Sequence, residues 1–484
     1  MSFPSTDTSR LTAEQWHRLA DSIPIALDVA VERGSEGANV FLESSRRDQY
    51  HFRQVVAAGR PQPSEQRRTR HYVEGASVTA YSHDCVAVAC IEVMSKEGAR
   101  AAALSACEEA KTEGRTSASP SDRLAGLDVS MMLEEQQAGL PAATTQEVGR
   151  SLAEVCLAVC PDAVEVGVVI SEEFRRRLVV STYGPPRISR HAFATTIVTC
   201  ERERGPDVRV VAGFAGQENI GPGCDVDRMI HEICQQGSVR PTSYRGGALT
   251  IPIVFEAGWC AGVWLHEAVG HFLEGDNVLK GWSPFSKPGE KVAPHEVTIV
   301  DDPAIHSSRG SISFDDEGMP AVRNVLVASG VVEGHVHSRL TGRHSGVAAT
   351  GNGRRENYRF PPAPRMTNLV LENGGGDRDA ILASISKGLL INALGSGTVD
   401  VRTGRFSFDV ILAHWIEGGR TGEAVTGLTL SGDAQSALAS VRAVGDDFAA
   451  DAGRGICRKG GQTVPVGLGS PTVHVDGLRV QARN

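Results

Sequence analysis

The 484-residue sequence has no surplus of positive charge: 49 Lys and Arg against 58 Asp and Glu leave a formal net charge of −9. Nonspecific nucleic-acid binding depends on a basic surface, so no nucleic-acid partner is expected. Two locally basic clusters, Arg67-Arg68 and Arg175-Arg176-Arg177, read as solvated faces. An unbroken apolar run is also missing. The most apolar stretch, Ala248 to Phe272, is interrupted by Pro252, Glu256, His266 and Glu267. That pattern fits a buried segment better than a membrane span. Met1 to Arg10 has no apolar core, so it is not expected to be a secretory signal. The ten cysteines show no framework spacing, and free thiols in a reducing cytoplasm are expected. Cys156 and Cys160, four apart on a helical pattern, read as small core residues. No internal repeat or low-complexity tract is present.

Glycine is abundant, at 53 of 484 residues, which is above the usual share of about 7% and favours turns and short strands over a helical bundle. The length allows two or three domains. The expected class is α+β: an N-terminal α/β domain over 1–115, a central α+β region over 125–220, and a C-terminal domain over 225–484 dominated by antiparallel sheet. Trp16, Leu19, Ile23, Leu27, Ala30 and Val31 recur at helical steps from Thr12 to about Arg33, with Pro24 as a site for a kink. Strands are expected at 38–42, at 77–90 around a Ser82-His83-Asp84 turn, and at 163–170, 177–181 and 192–200. Helices are expected near 95–111, 145–159 and 225–236. Thr112–Ser121 reads as a linker, and the glycines of 213–223 as a boundary. Residues 324–337 and 398–410 alternate on both sides of Ser329-Gly330 and Thr403-Gly404, as hairpins do, and 472–480 repeats the alternation.

Chemistry concentrates at Leu265-His-Glu-Ala-Val-Gly-His-Phe-Leu-Glu-Gly-Asp276. Two imidazoles can hold a divalent metal, and Glu267, adjoining the first, is placed to take a proton from water at such an ion. The usual zinc-peptidase helix spaces its histidines four apart. Here the spacing is five, which separates them by about 140° on an ideal helix. Convergence therefore requires a distortion, and Gly270 is the residue suited to a π-bulge or an early helix end. At least one further ligand is needed. Candidates are Glu274, Asp276, the acidic run Asp315-Asp316-Glu317, or a cysteine. Cys457 stands apart in Gly453-Arg-Gly-Ile-Cys-Arg-Lys-Gly-Gly461, where Arg458 and Lys459 favour a thiolate. Asp315-Asp316-Glu317-Gly318 otherwise reads as a solvated turn without the oxygen spacing of a calcium loop. Trp259 and Trp264 read as core, while His414-Trp415 is a candidate lining of the cleft.

His266-Glu267-x-x-x-His271-x-x-Glu-Gly-Asp276 resembles the metal motif of the TldD/TldE (PmbA) metallopeptidases. So do Gly351-Asn-Gly-Arg-Arg-Glu356, Pro364-Arg-Met-Thr-Asn368 and Gly455 to Gly469. The likeness is dense from about 245 onward and thin before 220, where Glu74 to Ala80 alone looks familiar. The resemblance implies His266, His271 and Cys457 as zinc ligands and Glu267 as general base. It also implies a TldD-like catalytic subunit acting on unfolded peptides in the cytoplasm, paired with a TldE-like subunit or with itself. Arg354, Arg355 and Arg365 are candidates for binding a substrate carboxylate or bracing the site, against a bland reading as surface ion pairs.

Three functions compete at this level. The first is a zinc-dependent peptidase. The second is an amide hydrolase acting on a small peptide conjugate in a biosynthetic pathway, suggested by the thin likeness before 220. The third is a non-catalytic assembly partner with a structural zinc, which would carry four protein ligands and no water.

Overall fold

The computed structural model describes residues 10–57, 60–62, 64–112, 132, 142–203, 207–216, 226–306, 308–451 and 453–483. The expected linker beyond residue 112 and the glycine-rich stretch beyond 216 lie outside the described residues.

The N-terminal half is built on one antiparallel sheet of long strands. These are β1 (Gly37–Ala57), β2 (Glu65–Tyr81), β3 (Val86–Cys90), β4 (Ala163–Ser181), β5 (Gly184–Arg202) and β6 (Val208–Gly216), in the order β3-β2-β1-β4-β5-β6. Arg60–Pro61 pairs with the end of β1. Strands from the 1–115 and 125–220 stretches thus share one sheet, joined where β1 pairs with β4. Side chains alternate across a sheet with period two, and here parity sorts the faces. Even-numbered Val40, Leu42, Val78, Ala80, Val168, Ile170, Leu178, Val180, Val198 and Val210 are buried in two apolar clusters under the helices. Helix α1 (Ala13–Glu32) packs with α2 (Lys96–Glu109), and α3 (Ala142–Val159) with α4 (Val226–Ser238). A capping box at Thr12 starts α1, and the helix continues through Pro24.

The odd-numbered face is polar and meets the C-terminal half. Arg177 Nη1 donates to Asp316 Oδ1 (2.8 Å), and Arg177 also bonds Glu43 Oε1 (3.2 Å). Tyr81 Oη donates to Glu317 Oε1 (2.9 Å), and Arg355 lies against Ser77 and Thr79. Two expectations are corrected here. Arg175, Arg176 and Arg177 are buried, not solvated, and so are Asp315, Asp316 and Glu317. The reason is that both faces of this sheet are covered: Arg177 and Glu317 are bonded across the internal boundary, Arg175 to Glu173 within the sheet, and Asp315 to amides of its own half. Arg67 and Arg68 are exposed as expected.

The C-terminal half contains a closed sheet. Leu249–Phe255 pairs in parallel with Lys387–Asp400 and antiparallel with Val473–Ala482, which leads through Leu428–Asp433 to Arg405–Glu417. Arg405–Glu417 then pairs back to Lys387–Asp400, completing a five-stranded ring. Beside it lies a second sheet, ordered 331–332, 324–328, 299–301, 368–371, 467–470 and 449–450. Its pairing of Asn368–Leu371 with Gly467–Ser470 is parallel. The expected hairpins are found, with Ser329 and Gly330 at φ 48 and 81°. Between ring and sheet runs α5 (Trp259–Ala268), which is buried on nearly every side. Trp264 stacks on Phe255 at 5.2 Å, within the core as expected. No helix among the described residues is long and apolar enough to cross a membrane.

His191 lies on the polar face, stacked on Phe193. Burial, with Arg177 and Arg175 nearby, lowers its pKa from 6.5 to about 4. The unfolded chain therefore binds this proton more readily, and stability is lost as pH falls from about 6.5 towards 4. His191→Gln is expected to flatten that part of the curve of urea midpoint against pH. An unchanged slope would show that His191 does not set it.

Candidate metal centre

Helix α5 stops at Ala268; Val269 leaves helical geometry with φ −129° and ψ −49°, and Gly270–Leu273 forms a 3₁₀ turn. The expected distortion is thus an early helix end, with the break carried by Val269. Gly270 serves packing: a Cβ there would meet Leu369 Cδ2 and Met366 Sδ at 2.6 Å. The break brings the two imidazoles together, with ring centroids 4.8 Å apart. Asn277 Nδ2 holds the His271 carbonyl (2.8 Å).

Cys457 arrives on a separate element. Ile456–Lys459 and Gln462–Pro465 form a hairpin about Gly460-Gly461, both with positive φ (56 and 76°). The Asp451 carboxylate accepts from the amides of Gly453, Arg454 and Gly455 and so shapes the approach to the hairpin. Arg365 Nη2 donates to the Cys457 carbonyl (2.7 Å), and Arg354 Nη2 to the Pro465 carbonyl (2.7 Å). Both arginines are buried. Arg354 and Arg365 thus tie backbone carbonyls, and Arg355 the Thr79 hydroxyl, inside the protein.

The donor atoms of His266, His271 and Cys457, all buried, lie within 4.8 Å of one another. Cys457 Sγ is 3.9 Å from His271 Nε2. On a tetrahedral ion with bonds of about 2.1 Å to nitrogen and 2.3 Å to sulfur, donor atoms stand roughly 3.4–3.6 Å apart. A small inward shift closes that difference. Both ring nitrogens of His266 are buried without a hydrogen-bond partner among the described residues, which is costly for polar atoms unless something else engages them. Burial alone would push the Cys457 thiol up, yet His271 and His266 hold it well below the usual range. A thiolate is the metal-binding form of cysteine. The residues present therefore fit a divalent metal.

Glu267 Oε2 is 3.9 Å from His271 Nε2, and its side chain is 24% exposed against 5% for His271. The acid beside the donors is thus the member open to solvent. Glu274 and Asp276, weighed above as ligands, have other partners: Glu274 Oε2 is 3.1 Å from His271 Nδ1, and both carboxylates bond Lys459. Burial works against the Glu274 charge, but Lys459 and His271 keep its pKa far below the ordinary carboxylate value. The partnership of Glu274 with Lys459 escaped the sequence reading. Its one trace there was both residues lying inside the quoted motifs. His414 bonds Asn392 (2.7 Å) and Trp415 packs near Tyr244, so both serve the closed sheet.

Residues 249–482 match the family described as the PmbA/TldA metallopeptidase C-terminal domain. A "Metalloprotease TldD homolog" of Haemophilus influenzae is 41% identical over 254 residues, 52% of each chain. The matched part of this chain thus spans about half the length of that relative. Another, from Buchnera aphidicola of Schizaphis graminum, is 33% identical over 331 residues, 66% of this chain and 68% of that one. The chain belongs to the PmbA/TldD metallopeptidase family. TldE from Thermococcus kodakarensis, at 16% identity, superposes with a TM-score of 0.65 over 96% of this chain and all of that one; this likeness shows the shared mixed α+β fold. Within the PmbA/TldD chain described here, the four motifs quoted from sequence meet in space. Gly353–Arg354 pairs with Ala363–Pro364, Asn368–Val370 with Gly467–Gly469, and Lys459 Nζ reaches the Pro364 carbonyl at 3.3 Å.

Gly455 leads into the hairpin, and a Cβ there would stand 2.2 Å from the Val466 carbonyl oxygen, which belongs to backbone and has no side-chain freedom. Gly455→Ala is expected to cost about 1–3 kcal/mol through overpacking, measured as a lower urea midpoint. Unaltered stability would mean the hairpin shifts freely.

Proposed function

We propose that this chain is a zinc-dependent peptidase with His266, His271 and Cys457 as ligands and Glu267 as general base. The observation that carries the reading is the convergence of three buried donor atoms within 4.8 Å beside a partly exposed carboxylate. Zinc is favoured over a harder ion because imidazole and thiolate are its usual donors. When bound, zinc supplies a Lewis acid that polarises a peptide carbonyl and acidifies water. Glu267 takes the proton from the attacking water and returns it to the amine nitrogen as the peptide bond breaks. The buried surroundings of the donor set strengthen each charge interaction there.

The hairpin beside the donor set supports an extended substrate. Among the described residues Ile456–Lys459 pairs on one side only, with Gln462–Pro465, which leaves its other edge without a strand partner. A peptide added along it would be held by main-chain hydrogen bonds, with little side-chain selectivity and a need for unfolded chain. The partner in this reading is a TldE-like chain or a second copy. A structural zinc would call for four protein donors, whereas three meet here among the described residues. The second reading is an amide hydrolase acting on a small peptide conjugate.

Glu267→Gln is expected to lower hydrolysis of an unstructured casein-type protein by about 10²–10⁴-fold, with zinc content unchanged by metal analysis. Hydrolysis at the original rate would overturn the assignment. Faster turnover of dipeptide-like amides than of casein would favour the second reading.

A further inference from the structure

Building on the zinc-site reading above, we propose that Glu274 and Lys459 form a positioning pair that sets the metal affinity of the site through His271. Glu274 is fully buried, and its Oε2 lies 3.1 Å from His271 Nδ1. A neutral imidazole has one N–H and one lone pair. Donation from Nδ1 to Glu274 therefore leaves the lone pair on Nε2, the nitrogen that faces Cys457 Sγ and Glu267 Oε2, each at 3.9 Å. The carboxylate thus selects which nitrogen of His271 is presented and fixes the ring's rotation about it.

Glu274 is itself held by Lys459 Nζ at 2.8 Å, and the same ammonium bonds Asp276 Oδ1 and the Pro364 carbonyl. Lys459 stands two residues after Cys457 on one strand, so their side chains project from the same face of the hairpin. One strand therefore delivers a sulfur donor and, beside it, the cation that anchors the carboxylate orienting a nitrogen donor from a different element. The hairpin and the broken helix are locked to each other at two points, one through the donor set and one through Lys459 and Glu274. A partner of this type behind a ligating histidine typically contributes 10–100-fold in metal affinity. The alternative is that Lys459, Glu274 and Asp276 form an ion cluster serving stability alone.

The test is zinc affinity of the full-length chain, measured by competition with a chromogenic chelator, together with the visible absorption spectrum of the cobalt-loaded protein. Thermal melting of the metal-free protein serves as a control for folding. Glu274→Ala and Lys459→Met are expected to weaken zinc binding by about 10–100-fold and to alter the cobalt spectrum, with Lys459→Arg recovering most of the affinity. Glu274→Gln, which keeps the shape and an acceptor oxygen, decides the matter if truncation prevents folding; it is expected to fall between the unmodified chain and Glu274→Ala. His266→Ala is the reference for loss of the site. If the Glu274 and Lys459 variants bind zinc as tightly as the unmodified chain while His266→Ala does not, the pairing is structural and this inference fails. If His266→Ala also binds as tightly as the unmodified chain, the zinc-site reading itself fails.

Discussion

Five residues along an ideal helix place two side chains about 140° apart, and the candidate site depends on how the protein removes that separation. Helix α5 is sealed between a closed sheet and a second sheet, so its register cannot slide to suit the ligands. Ending it at Ala268 lets the chain re-aim His271 within one residue. The apolar contacts of Met366 and Leu369 against Gly270 hold the break in place. A helix continuing past Ala268 would turn one imidazole away from Cys457, and the three-donor set would not exist.

Charge is handled inside this protein by pairing across boundaries. On the polar face of the N-terminal sheet Arg177 meets Asp316 and the Glu356 carbonyl of the C-terminal half, and Glu43 accepts from the Tyr358 amide. Breaking such buried pairs is costly because one partner is left charged in a poor solvent. The same logic recurs at smaller scale around the site, where Lys459 lies between Glu274 and Asp276. Alignment of the two halves and alignment of the donors thus rest on one kind of interaction.

Arg354 and Arg365, in the Gly351–Glu356 and Pro364–Asn368 motifs, donate to backbone carbonyls. Arg365 holds the carbonyl of Cys457 itself, and Arg354 holds Met366 and Pro465. Guanidinium groups suit this work because their several donors are rigidly splayed and remain charged when buried. Arg365 in this way holds the strand that carries the sulfur atom.

The amino-acid pattern alone determined the elements whose signals are local. Apolar steps of three and four residues from Trp16 to Val31 mark α1, and the alternation about Thr403-Gly404 marks a hairpin, because each is written in the spacing of near neighbours. The identities of His266, Glu267, His271 and Cys457 were legible through motif and resemblance, and so was the need for a distortion near Gly270. Tertiary structure alone decided the rest. Closure of the five-stranded ring, burial of Arg175–Arg177 and Asp315–Glu317, and the approach of Lys459 to Glu274 join residues from tens to more than two hundred positions apart. Spacing along the chain carries no record of such meetings. A charged run looks the same whether water or another charged surface covers it, and only the packed molecule specifies which.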